Sequence, residues 1–267
     1  MRSLQIFVFI VGLYSLTSCS TTTNPAQTVK SKVSIGTAEA GDTTVELLTD
    51  GKLETGLVPI YIKLSDASHK AITDANVTFA PMMSMSNGMS HTCPVFGSPV
   101  LEQGDVYHVD VVFQMPSSDV DFWSATVGIN DTDAEMNDAV FDKLDVPDNH
   151  RVQTFTFTDP TTSEATRYVS SLNFIDPPKV GLNPVVFTLH TRQDMMTFPP
   201  VDDATLAIDP QMPSMGHGAA GSVKPTKTNS GRYEGQVSLS MAGSWDITVT
   251  VNRGDTVVGT PVFPISF

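Results

Sequence analysis

The chain has 267 residues, of which 40% are hydrophobic and 16% charged, and its 29 acidic against 15 basic side chains give a formal net charge of −14. Such acidity argues against nucleic acid as a partner and favours cations over anions as ligands. The length allows two β-domains, and two cysteines are too few for a disulfide framework.

In chain order, Arg2 supplies a minimal positive start, Leu4 to Leu16 is almost wholly apolar, and Leu16-Thr17-Ser18 precedes Cys19. This resembles a bacterial lipobox, which implies a lipoprotein signal peptide over 1–18 and lipidation of Cys19. The apolar run is shorter than the roughly 20 residues a spanning helix needs, so the expectation is a chain anchored to a membrane by lipid. Loss of Arg2 with the leader takes the formal charge from −14 to −15. Residues 19–32 are polar and Thr-rich and read as a flexible tether. With Cys19 carrying lipid, Cys93 has no intrachain partner, so its thiol is either buried or used.

Beyond the tether, short alternating runs rich in Val, Ile, Thr and aromatics recur between Gly, Pro, Asp and Asn. They are TVELL, PIYIKL, VYHVDVVF, WSATVGI and VQTFTF, then VVFTLHT, ATLAI, YEGQVSLSM, WDITVTV and PVFPISF. Period-2 patterning of this kind predicts antiparallel sheet and an all-β architecture. The two halves also answer each other. Gly56-Leu-Val-Pro-Ile matches Gly181-Leu-Asn-Pro-Val, and Tyr107, Met115 and Trp123 match Tyr233, Met241 and Trp245. From the shared Gly to the shared Tyr is 51 residues in one half and 52 in the other. The expectation is two tandem immunoglobulin-like antiparallel β-sandwiches, over 33–160 and 161–267, with the polar stretch Thr158–Thr166 as linker. The acidic run Asn130–Asn149 lacks an EF-hand pattern and reads as a solvated loop insertion.

Eight of the eleven methionines after Met1 fall at corresponding places in the halves: Met82, Met83, Met85, Met89 and Met115, against Met212, Met215 and Met241. Histidine accompanies both clusters. Thioether, imidazole and thiolate suit copper as Cu(I) better than Cu(II), and neutral thioethers need no deprotonation. The candidate metal ligands are Met212, Met215, His217 and Met241 in the second half, and Met85, Met89, His91, Cys93 and Met115 in the first. Gly216 and Gly218 flank His217 and permit a tight wrap. The competing reading is packing: methionine fills irregular gaps, Met115 and Met241 sit at strand ends near Trp123 and Trp245, and a free cysteine is a common core residue.

The segment MPSMGHG followed by GRYEGQVSLSMAGSWDITVTV resembles the YtkA-like/FixH-like family of small exported β-domains, matching over 202–251. The resemblance implies copper binding or delivery, with an envelope copper-handling or oxidase-assembly protein as partner. It carries Met212, Met215, His217 and Met241 over as site residues, and reaches His91 and Cys93 only through the internal repeat. The first half departs from the motif, having MMSMSNGMSHTCP in place of the short loop.

No HExxH, CxxC, GxSxG or phosphate-cradling Gly loop is present, so the chain is expected not to be an enzyme. His69, His108, His150 and His190 lack motif partners and read as surface or strand residues. Two functions remain open: a lipid-anchored copper-binding module of the bacterial cell envelope, facing the periplasm or the exterior, and a non-catalytic interaction protein presenting a Met-rich rim to a membrane partner.

Overall fold

A computed structural model describes residues 31–130 and 137–267. The leader, Cys19 and all but the last two tether residues lie outside the described residues. Among those described there is no helix, and hence none long and apolar enough to cross a membrane. The fold is all-β, made of antiparallel immunoglobulin-like sandwich layers.

The first half contributes β1 (Lys32–Ala40), β2 (Thr43–Asp50), β3 (Gly56–Ser65), β4 (Asn76–Ser84), β5 (Ser90–His91), β6 (Val100–Glu102), β7 (Val106–Phe113), β8 (Phe122–Asn130) and β9 (Asn137–Leu144). The rest contributes β10 (Val152–Thr158), β11 (Ala165–Phe174), β12 (Gly181–Arg192), β13 (Ala204–Met212), β14 (His217–Gly218), β15 (Val223–Asn229), β16 (Arg232–Leu239), β17 (Ser244–Arg253), β18 (Thr256–Gly259) and β19 (Val262–Ser266). One sheet runs β1-β2-β3-β7-β6 and packs on another ordered β5-β4-β8-β9. The second pair repeats that order as β10-β11-β12-β16-β15 against β14-β13-β17-β18, with β19 continuing the same edge of β17 that β18 occupies.

Alternation explains the layers. Along β8, Trp123, Ala125 and Val127 point inward while Ser124 and Thr126 do not, and along β17 Trp245, Ile247, Val249 and Val251 do the same. Each half has its own hydrophobic cluster, one centred on Trp123, Phe113 and Ile60 and the other on Trp245, Phe187 and Tyr233. The repeated residues also hold repeated roles. Tyr107 Oη accepts the Ala75 N–H at 3.0 Å and Tyr233 Oη the Ala204 N–H at 3.3 Å. Trp123 Nε1 donates to the Met115 carbonyl at 2.8 Å and Trp245 Nε1 to the Met241 carbonyl at 3.1 Å.

The acidic run differs from expectation. Residues 131–136 lie outside the described residues, but most of the remainder is β9, whose Ala139, Phe141 and Leu144 enter the first core. Asp138 and Asp142 flank an exposed Val140 on the face that meets water, and the charge masked a half-buried strand. The polar stretch Thr158–Thr166 is a hairpin turn: β10 pairs with β11, and Asp159 Oδ1 accepts the N–H groups of Thr161 and Thr162 at 2.7 and 3.0 Å. Pro, Asp and Thr serve tight turns as readily as linkers, so composition alone does not separate the two. The strand 152–158, expected to end the first sandwich, therefore lies in the sheet of the second.

The sandwiches touch along a polar junction. Arg232 Nη1 meets Asp110 Oδ2 at 2.7 Å, Met195 O accepts the Thr92 N–H at 3.0 Å, and Asn173 Oδ1 accepts the Leu57 N–H at 3.0 Å. Gly56 makes the last contact possible: its φ is 107°, and a Cβ there would stand 2.6 Å from Asn173 Oδ1. Gly181 has the corresponding φ of 102° but open space around it. Gly56→Ala should therefore cost about 2–3 kcal/mol, backbone strain plus a lost junction contact, and Gly181→Ala only the strain, about 1–2 kcal/mol. Urea unfolding of both variants checks this, and equal losses would mean that the Asn173 contact contributes nothing.

Candidate metal centres

In the second sandwich β13 runs out at Met212 and the chain turns at once. Met212 O accepts the N–H groups of Met215 and Gly216 at 3.1 and 3.0 Å, and Gly216 takes φ 64°, a conformation glycine adopts without a Cβ penalty. His217 then comes back on β14 directly opposite Met212. On the other side of β13, Gln211 faces Asp246, which places Trp245 alongside. The His217 ring stands edge-on to Trp245, with centroids 6.0 Å apart and planes at 75°. Met212 is buried, with its methyl end toward Gly243. Met215 and Met241 are exposed.

The first sandwich builds the same figure with a longer loop. Met83 faces His91 on β5 and Trp123 on β8, and the His91 and Trp123 rings are 5.4 Å apart at 84°. Met83, which the expected ligand set leaves out, is therefore the counterpart of Met212. The loop before the histidine is three residues longer in the first half, so aligning the halves by methionine spacing shifts the match. Counting inward positions back from Trp123 across the ladder recovers it. Met85 and Met115 pack against the edge of the core, while Met89 is exposed at the loop tip. Cys93 is a buried member of the core, and burial pushes its thiol well above the ordinary range, so it sits there as a neutral thiol.

Both histidines commit the same nitrogen. His217 Nδ1 lies 3.2 Å from the Gly218 carbonyl and His91 Nδ1 2.8 Å from that of Thr92. A carbonyl only accepts, so in the tautomer that makes these hydrogen bonds Nδ1 carries the proton and Nε2 the lone pair; at His91 the Gln114 amide nitrogen also stands 3.1 Å from Nδ1. Gln114 Nε2 also donates to Thr92 O at 3.2 Å, which leaves Gln114 Oε1 and His91 Nε2 buried with no protein partner. A buried polar atom without a partner costs about 1–3 kcal/mol, here as at His190 Nδ1. Burial is the main reason that the His91 pKa is lowered, which keeps the ring neutral. Among the described residues no three His, Cys, Asp or Glu side chains gather, and the donor types that strand register sets opposite one another are imidazole and thioether. That set fits a soft monovalent ion such as Cu(I) and is unsuited to Ca²⁺ or Mg²⁺.

The remaining histidines serve structure. His69 and His150 are exposed turn residues with φ of 63° and 60°. His108 bridges Glu102 and Asp110 at 2.8 and 3.1 Å, and its hydrogen bond to Asp110 leads in raising its pKa. His190 is buried edge-on to Phe96, and burial pushes it down to about 4 from an ordinary 6.5. Because the folded form resists protonation, the unfolded chain alone takes up this proton as pH falls from about 6.5 to about 4. Stability should drop by up to about 3 kcal/mol across that window. Denaturation at pH 7.0 and 4.5 should show a smaller difference for His190→Gln than for the unaltered chain, whereas His108, with its pKa raised, acts only above pH 6.5. In a groove of about 550 Å³ beside Tyr168, Arg253 is held by Asp203 at 2.8 and 3.0 Å.

The segment spanning β11 to most of β17, which includes Met212, Met215, His217, Met241 and Trp245, is similar to a known family. Residues 162–250 match the family model of YtkA-like domains. The YtkA-like segment thus contains the whole of the second His–Met–Trp set. No curated protein matches the chain. Among solved structures, the Escherichia coli adhesin FdeC aligns at 15% identity over 86% of this chain and 66% of its own, with a TM-score of 0.28. The chain thus spans just under two thirds of that structure. Domains 5–6 of the S-layer protein SbsC align at 14% identity over 88% of this chain and 99% of theirs, with a TM-score of 0.26.

Proposed function

We propose that this protein is a lipid-anchored, non-catalytic module of the bacterial cell envelope that binds Cu(I) at one centre in each sandwich, sequestering it or handing it on. The observation that carries this reading is the repeated triad of strand methionine, histidine and buried tryptophan, with Nδ1 tied to the next carbonyl and Nε2 left for a ligand. The ligand sets are Met212, Met215 and His217, with Met241 adjacent, and Met83 with His91, with Met85, Met89, Met115 and Cys93 nearby. Neutral thioether and imidazole donors leave the ion's single charge uncompensated locally, and the acidic chain supplies a favourable field for it. The lipobox-like leader supports the envelope location.

An anaerobic Cu(I) titration of residues 20–267 against a chromophoric chelator tests this. Two ions should bind tightly, and Met212→Leu/His217→Ala should lose one of them. Leucine conserves the buried volume of Met212, so lost binding with retained stability identifies ligation and not packing. No competition by the unaltered chain would sink the copper reading.

A second reading rests on the exposure of Met215 (61%) and Met241 (40%), a flexible apolar rim of the kind that adapts to a protein partner. It expects Met215→Ser to weaken capture of an envelope partner while leaving Cu(I) stoichiometry unchanged.

A further inference from the structure

The two centres differ in what encloses them. His217 lies in a loop whose Met215 side chain is mostly in solvent, whereas His91 is 2% exposed. The residue that follows His91 is gripped from both sides. Thr92 O accepts from His91 and Gln114, and the Thr92 N–H donates to Met195 O, which belongs to the second sandwich. Beyond Thr92 a groove of about 440 Å³ runs between Pro81 and Cys93 of the first sandwich and Met196 and Phe198 of the second. The Asp110–Arg232 pair and the packing of Phe96 on His190 fasten the same junction.

We propose that the His91 centre is a two-sandwich site: its ligands come from the first sandwich and its closure from residues 192–199 of the second. Metal then enters and leaves it only when the junction opens, while the His217 centre exchanges freely with solution. This inference rests on the Cu(I) reading above. Removal of Cu(I) by a chelator is a ligand substitution, in which the incoming donor must reach the ion before imidazole and thioether let go, with no change of oxidation state. An enclosed ion denies that approach until a local opening exposes it. The protein would thus hold one ion for storage and present the other for exchange.

The test mixes residues 20–267, loaded with two Cu(I), with excess chromophoric chelator under anaerobic stopped flow. Release should be biphasic, the fast phase disappearing in His217→Ala and the slow one in His91→Ala. Arg232→Gln and the volume-conserving Asp110→Asn should speed the slow phase by at least about tenfold and leave the fast phase unchanged. Near-ultraviolet circular dichroism identifies a junction variant that has lost its packing instead. In the metal-free chain, alkylation of Cys93 should be slow and should accelerate in the same two variants, a readout of opening that needs no copper. A chain that takes up no Cu(I) would overturn the copper reading and this inference with it. Normal binding of two ions with a single release phase, a slow phase indifferent to both variants, or Cys93 alkylated equally fast throughout would overturn this inference alone.

Discussion

Alanine at both His91 and His217 should abolish chelator-resistant Cu(I) binding, and each single replacement should remove one ion. In the proposed centres the imidazole would be the strongest donor, and its loss would leave thioethers alone on the ion. Loss of a group merely behind a ligand already weakens metal sites by about 10–100-fold, so loss of the ligand itself should exceed about 100-fold. The two variants should differ in stability. His217 lies at a partly open loop and its replacement should change unfolding little. His91→Ala removes a buried ring from against Trp123 but also removes an orphaned Nε2, and the two effects oppose one another. Met83→Leu gives the cleaner contrast, because Met83 is fully buried and leucine fills nearly its volume. Unchanged Cu(I) affinity in Met83→Leu would remove the residue from the ligand set.

Trp123→Ala should be the most destabilising single change in the first sandwich, at about 3–5 kcal/mol. The side chain is fully buried, meets Phe113 edge-on at 5.1 Å and ties the end of β7 to β8 through Nε1 and the Met115 carbonyl. Trp123→Phe keeps most of the packing and loses only that hydrogen bond, which should cost about 1–3 kcal/mol because the carbonyl is then left unpaired. Urea denaturation followed by circular dichroism distinguishes the two. A loss below about 1 kcal/mol for alanine would mean that the core does not depend on the tryptophan. Because Trp123 also stands beside His91, the phenylalanine variant asks whether the aromatic ring or the indole N–H is what the metal centre needs.

Much of the fold is legible in the sequence. Period-2 runs bounded by turn residues identify the central strands, and the paired Gly, Tyr, Met and Trp positions bring out the repeated strand order. The His217 loop is legible because Pro213 breaks the strand and Gly216 and Gly218 allow the tight turn that brings the chain back. Two things are not. β9 is hidden because its solvent face is acidic, and a strand buried on one face only is easily read by its wetter side. Met83 is hidden because ligands in a sheet are brought together across strands, by ladder register, and not along the chain.

Local periodicity and residue chemistry thus settle the all-β class, the repeated strand order and the clustering of soft donors around two histidines. Folding settles which methionine faces each histidine, which ring nitrogen meets the neighbouring carbonyl, and that His91 is buried beside a residue bonded to the second sandwich while His217 is partly open. Those are consequences of strand register, of a carbonyl reached by one nitrogen, and of the junction closed by Asp110 with Arg232 and by Thr92 with Met195, contacts between residues about a hundred or more positions apart that no local pattern records.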